Sequence, residues 1–88
     1  MIESLSGQQI GQLVDALLGA YPSRDDLRIM VTIELDETLE AIADGANQRV
    51  VVFNLVTWAV RGGRVDDLLA GARRGNPGNR SLAVLVAA

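Results

Sequence analysis

The sequence contains no histidine, no cysteine and no lysine, and these absences remove most of the side chains that enzymes use. Without histidine the chain lacks the commonest general base and metal ligand. Without cysteine it has no disulfide, thiolate nucleophile or thiolate zinc site, and without lysine it has no Schiff-base amine and no phosphate-loop lysine. We therefore expect that the chain is not an enzyme and holds no cofactor or metal.

Long hydrophobic runs and an excess of positive charge are also missing. Hydrophobic residues make up 49% of the chain, which is too many for a disordered protein, yet no apolar stretch reaches the ~20 residues that cross a bilayer. The opening residues 1–4 lack the basic segment and apolar run of a secretory signal, so we expect a cytoplasmic protein. A net charge of -3 and a pI near 4.7 argue against generic binding to nucleic acid or a membrane surface.

The length of 88 residues predicts a single domain over residues 1–88, because so short a chain cannot build two cores. The abrupt ending on residues 86–88 is compatible with a module cut from a longer protein.

The first half of the chain predicts three helices. A capping box at Ser6–Gln9 precedes an apolar stripe at helical spacing, and this helix ends near Gly19. Ser23 is the next predicted N-cap. The segment 27–35 alternates as a half-buried strand does, but the cap and a second stripe favour a helix, with inward residues Leu27, Met30, Val31 and Leu35. A short helix is predicted from about Asp36 to Asp44.

The second half predicts three more helices. Residues 48–61 open with strand-forming valines, but about 14 residues without a breaker favour a helix, which we expect to be central because it is apolar on most sides. Asn47 is its predicted N-cap, and Gly63 ends it. A short helix follows up to Gly75. The turn at residues 76–79 then leads to a last helix, capped by Asn79, with inward residues Leu82, Leu85 and Val86.

The order of these residues resembles the bacterial effector-associated domain of the first type. The first half of the resemblance rests on short motifs at residues 5–7, 13–17, 21–23, 26–27 and 39–43. The second half carries its more specific part, namely residues 51–56, the pair Trp58-Ala59, Gly63-Arg64, Asp67-Leu68 and the turn 76–79 before Leu82. Its signature residues are Phe53, Trp58, Gly63, Asn76, Pro77 and Asn79. Polar Thr32 and Gly71 depart from the expected helix pattern and put helix boundaries in doubt.

The resemblance implies an all-α, compact six-helix bundle of the death-like superfamily. Members of that family are joined to, or lie beside, proteases or signalling NTPases in bacterial immunity and programmed cell death. It implies an adaptor that binds like domains on effector or sensor proteins. We expect Trp58 and Phe53 to belong to the core, and the turn 76–79 to reverse the chain and cap a helix.

The charges are divided along the sequence. Residues 1–45 carry nine acids and two arginines, whereas residues 46–88 carry six arginines and two acids. This asymmetry predicts head-to-tail self-association, in which an acidic face of one copy meets a basic face of the next. The predicted acidic face is Asp26, Glu37, Glu40 and Asp44. The predicted basic face is Arg61, Arg64, Arg73 and Arg74.

Two other classes of function stay open. The same four arginines could contact phosphates if the chain is a helical nucleic-acid-binding module, although the acidic first half argues against it. A small enzyme is the least favoured class, because the usual general bases are missing. The acids at residues 36, 37, 40 and 44 have helical spacing, but a solvated helix face is a better interpretation than a metal site.

Overall fold

The computed structural model describes residues 5–80 and 82, and the secondary structure within them is α-helical. The five helices are α1 (Gly7–Ala20), α2 (Arg24–Leu35), α3 (Leu39–Ile42), α4 (Gln48–Gly62) and α5 (Val65–Gly75). No strand occurs in this part of the chain, so segments 27–35 and 48–61 are helical as predicted. The all-α class is confirmed.

The N-termini of three helices carry the caps that the sequence predicts. The Ser6 hydroxyl accepts a hydrogen bond from the Gln9 amide at 3.1 Å, and the Gln9 side chain accepts one from the Ser6 amide at 2.9 Å. Ser23 caps α2 through the amide of Asp26, and Asn47 caps α4 through the amide of Val50. These bonds satisfy donors that the first helical turn leaves free, so the three starting points are fixed locally.

Left-handed residues end two of the helices. Gly63 ends α4 with a φ of 67°, as predicted, because glycine adopts this conformation without steric cost. Asp36 ends α2 with a φ of 55°, and aspartate is one of the few other residues that tolerate it. The prediction of a helix starting near Asp36 is therefore wrong. The short helix α3 begins three residues later, at Leu39.

The helices pack as two pairs around one core. Helix α1 lies against α4, α2 lies against α5, and the pairs meet where α4 contacts α5 and where α3 contacts both α2 and α4. Helix α4 touches three other helices, which agrees with the central place predicted for it. The predicted stripe of α2 is fully confirmed, because all four of its residues are buried.

The contact between α2 and α5 depends on a glycine. A Cβ atom added to Gly71 would lie 2.8 Å from the Cβ of Glu34, which is too close for either helix to keep its position. Beside this seam, the buried hydroxyl of Tyr21 donates a hydrogen bond to the Ala72 carbonyl at 2.7 Å. Gly71, which departs from the helix pattern in the sequence, therefore serves close packing.

The sixth predicted helix coincides with the end of the described region, so five helices are defined where six were predicted. Arg80 and Leu82 are helical, Leu82 is buried, and the Asn79 side chain accepts a hydrogen bond from the Leu82 amide at 2.9 Å. The predicted cap is thus present. The predicted inward residues Leu85 and Val86 lie outside the described residues.

The helices form a compact body of 28 × 27 × 22 Å. A search of the described helices for one with the length and apolar character of a membrane span finds none.

Candidate protein-interaction surfaces

The predicted interface charges are largely engaged within the chain. Five of the eight make ion pairs, and two of the four pairs below join residues of different helices. These pairs are Arg64 with Glu37 at 3.0 Å, Arg28 with Glu40 at 2.6 Å, Arg74 with Glu34 at 2.6 Å and Arg24 with Asp44 at 3.7 Å. In residues 5–80 and 82, no group of three acids is placed to hold a metal ion.

Glu40 has the strongest of these partners. Arg28 donates from both Nε, at 2.8 Å, and Nη2, at 2.6 Å, to the same oxygen of Glu40. These hydrogen bonds favour the charged carboxylate, so they lower the pKa of Glu40, and they raise the pKa of Arg28. Glu40 is therefore a charged surface residue whose carboxylate is bound by Arg28 of the same chain.

Arg64 connects the end of α4 to α2 and α5. Its guanidinium donates to Glu37 at 3.0 Å, to Asp67 at 3.4 Å and to the Leu35 carbonyl at 3.4 Å. The same group lies 5.1 Å from the centre of the Trp58 ring, within the range of a cation–π contact. Trp58 is partly buried and packs against the core, so the prediction of a core tryptophan holds in part.

Three of the predicted interface residues remain available. Asp26, Arg61 and Arg73 are exposed and make no ion pair with any residue that the structure describes. The pairs Asp15–Arg49, Glu37–Arg64 and Glu34–Arg74 also join the acidic first half to the basic second half. The fold therefore places acids of the first half next to arginines of the second half, and these pairs neutralise part of the charge of each half.

One exposed apolar patch lies on α2, and we call it the α2 ridge. It consists of Ile29, which is 55% exposed, and Ile33, which is 70% exposed. Asp26 lies one turn before Ile29, on the same rim, and Asp36 follows at the end of the helix. The ridge is therefore an apolar strip with the Asp26 carboxylate beside it, and Asp36 lies beyond the last residue of the helix.

A second patch, the α1/α4 groove, lies between those two helices and has a volume of about 570 Å³. Its walls include Val50, which is 40% exposed, and Phe53, which is 48% exposed. Its remaining lining consists of Gly7, Ile10, Gly11, Val14 and Arg49. The prediction that Phe53 is a core residue is wrong, because the buried face of α4 is filled by Val51, Val52, Leu55, Val56 and Ala59.

The sequence carries a signal for both patches. Ile29 and Ile33 fall outside the buried stripe of α2, so a consistent helical wheel places them on the other face. Residues 48–61 have more apolar side chains than one helix face holds, so some of them must be exposed unless the helix is surrounded completely. The helical wheel does not show which ones, because this depends on where α1 and α5 lie.

The signature turn has the structural role predicted for it. The Asn76 side chain donates to the Ala20 carbonyl at 3.1 Å, which ties the turn to the end of α1. Asn79 closes the turn with its amide on the Asn76 carbonyl and caps the segment that follows. Pro77 is exposed in the middle of the turn.

Comparison with known proteins gives one match. No curated protein and no solved structure matches the chain. The family model described as effector-associated domain 1 matches residues 3–88, which is nearly the whole sequence. The match agrees with the resemblance carried by the signature residues and with the all-helical fold, and the chain belongs to the effector-associated domain 1 family.

Proposed function

We propose that this domain is an adaptor that recruits or clusters effectors by homotypic association with like domains, in a bacterial immunity or programmed-cell-death system. The observation that carries the proposal is the pair of exposed apolar patches, the α2 ridge and the α1/α4 groove. The family assignment supports the connection with effectors.

The two patches support a binding role because exposed apolar side chains normally occur singly on soluble domains. In the part of the chain that the structure describes, four large ones occur as two adjacent pairs, on α2 and on α4. Burial in a complex removes this surface from water, at about 25 cal/mol per Å². A chain without histidine, cysteine or lysine has few catalytic alternatives for such surfaces.

The charges that remain available support a head-to-tail arrangement. Asp26 lies on α2, whereas Arg61 and Arg73 lie on α4 and α5. Each exposed ion pair contributes only ~0.2–1 kcal/mol, so these charges orient the copies while apolar contacts supply most of the affinity. A contact between two different surfaces repeats from copy to copy and assembles a chain or ring.

Clustering explains how a weak contact becomes a switch. Copies attached to the same assembly meet at a high effective concentration, so many weak contacts act together. An effector joined to the domain would then be inactive when dispersed and active when concentrated.

The nucleic-acid-binding alternative has less support. Two of its four arginines, Arg64 and Arg74, donate to carboxylates of the same chain, and these acids would repel a phosphate backbone. We expect no retardation of DNA or RNA by the domain at physiological salt.

Fluorescence anisotropy of a labelled domain, titrated with an unlabelled domain on an inert carrier, tests the proposal. We expect saturable binding that weakens with salt, and Arg61→Glu should weaken it between a few-fold and about tenfold by replacing attraction with repulsion. Gln12→Glu adds negative charge at an exposed position of α1 that does not line the groove, and it should leave binding unchanged.

The possible failures of this experiment have different meanings. Binding that ignores both salt and Arg61→Glu would remove the electrostatic part and leave the adaptor role. No binding between like domains at any concentration would remove homotypic association itself.

A further inference from the structure

We propose that the α2 ridge of one copy docks in the α1/α4 groove of the next copy. This inference rests on the proposed homotypic function and names the two surfaces that meet. It accounts for the four large apolar side chains that are exposed among the described residues, because Ile29 and Ile33 would be covered by the groove of a neighbour that contains Val50 and Phe53.

The charges at the two surfaces are complementary in sign. The ridge has Asp26 one turn before Ile29, and Asp36 is the left-handed residue that ends α2. The groove side of α4 has Arg49, which also pairs with Asp15 at 3.3 Å, and Arg61, which lies three turns after Val50. An antiparallel approach of α2 to α4 places Asp26 near Arg61, and neither of these side chains makes an ion pair with a residue that the structure describes.

Two glycines of α1 line the groove. Gly7 and Gly11 lie four residues apart on α1, and a Cβ added to either would meet nothing within 4 Å. Glycine within a helix costs roughly 0.5–1 kcal/mol relative to alanine, and no contact with a described residue requires it at Gly11. Ile29 and Ile33 have the same four-residue spacing, so their side chains match the two bare positions of the α1 backbone.

The arrangement is heterologous because the two surfaces belong to different helix pairs. The groove is formed by α1 with α4, and the ridge lies on α2, which packs against α5. A copy whose ridge is bound still has a free groove, and a copy whose groove is bound still has a free ridge. Each addition therefore leaves one of each surface open, and the assembly grows by one repeated contact.

Two single variants and their mixture test this pairing. Ile33→Glu disables the ridge, and Phe53→Glu disables the groove. Both side chains are exposed, so the fold should persist in both variants. Circular dichroism of each variant checks this. By sedimentation velocity, each variant alone should associate at least about tenfold more weakly than the unmodified chain. An equimolar mixture should form a dimer and nothing larger, because only one intact ridge and one intact groove can meet.

The remaining outcomes contradict the inference in distinguishable ways. If both variants associate as strongly as the Gln12→Glu control, the ridge and groove are not the interface, and homotypic association stands. If each variant alone still forms a dimer, each surface pairs with its own kind, and if both variants lose association and the mixture does not regain it, the ridge does not meet the groove. If the unmodified chain itself stays monomeric, the proposed function fails together with the inference.

Discussion

At the scale of single residues, the Arg28–Glu40 contact makes the folded state sensitive to pH. Glu40 is ordinarily half-protonated near pH 4.5, and the two hydrogen bonds from Arg28 lower its pKa in the folded protein. The unfolded chain then binds this proton more readily than the folded chain does. The contact therefore adds stability that is complete above pH 4.5 and is lost as the pH falls through the lower, folded-state pKa.

We predict that Glu40→Gln lowers stability near pH 7 and that its effect shrinks as the pH falls below 4.5. Urea denaturation followed by circular dichroism at a series of pH values measures this difference. In a chain that already carries Arg28→Gln, the Glu40→Gln change should have little pH-dependent effect, since the hydrogen bonds are gone. A stability difference between the unmodified chain and the Glu40→Gln variant that is constant from pH 7 down to pH 3 would contradict this account.

Cap residues could be predicted from the sequence, whereas charge partners could not. A cap joins a side chain to an amide three residues away, as Ser6 does with Gln9, so local spacing is sufficient. The pair Arg64–Glu37 joins residues 27 apart, and the pair Arg74–Glu34 joins residues 40 apart. Their existence depends on the packing of α2 against α5, which residue patterns do not specify.

At the scale of helices, the seam between α2 and α5 is a close contact that depends on glycine. Gly71 faces Glu34 and Leu35, and its missing side chain lets the two helix backbones approach. An added methyl group would press on the Cβ of Glu34, which is fixed to the backbone and cannot rotate away. The helices themselves would have to separate.

We predict that Gly71→Ala destabilises the domain by about 1–2 kcal/mol, because the cost of overpacking exceeds the gain in helix propensity. Gly19→Ala is the matched control, since a methyl group there meets nothing within 4 Å and should stabilise α1 by up to about 0.5–1 kcal/mol. Thermal and urea unfolding of both variants measure these changes. Equal effects of the two substitutions would show that the seam is not tight.

Helix type was predictable where several local signals agreed, and helix faces were predictable only in part. For α2, the Ser23 cap and the stripe from Leu27 to Leu35 outweighed the strand-like alternation, and the helix is present. The start of α3 was missed because Asp36 adopts a left-handed conformation that its residue type permits without requiring. The sequence predicts a core position for Phe53 because α4 is apolar on several sides. Which side of α4 stays exposed depends on where α1 packs against it.

At the scale of the whole molecule, the domain combines a small core with two apolar surfaces that residues 5–80 and 82 leave exposed. An 88-residue domain has a net stability of roughly 4–9 kcal/mol, and apolar side chains that stay exposed add little to it, so burying them in a complex is a gain that folding leaves unused. The groove also keeps helical glycine at Gly11, where alanine would fit the chain. These features are expected of a domain that functions in a complex with another protein molecule.

The most direct test of self-association is sedimentation velocity of the unmodified chain over protein concentrations from about 10 µM to about 1 mM, the range of contacts of roughly 4–7 kcal/mol. The account predicts a weight-average mass that rises progressively above the 9.4 kDa of one chain, with species larger than a dimer at high concentration and a smaller rise at high salt. A single 9.4 kDa species over the whole range would contradict it.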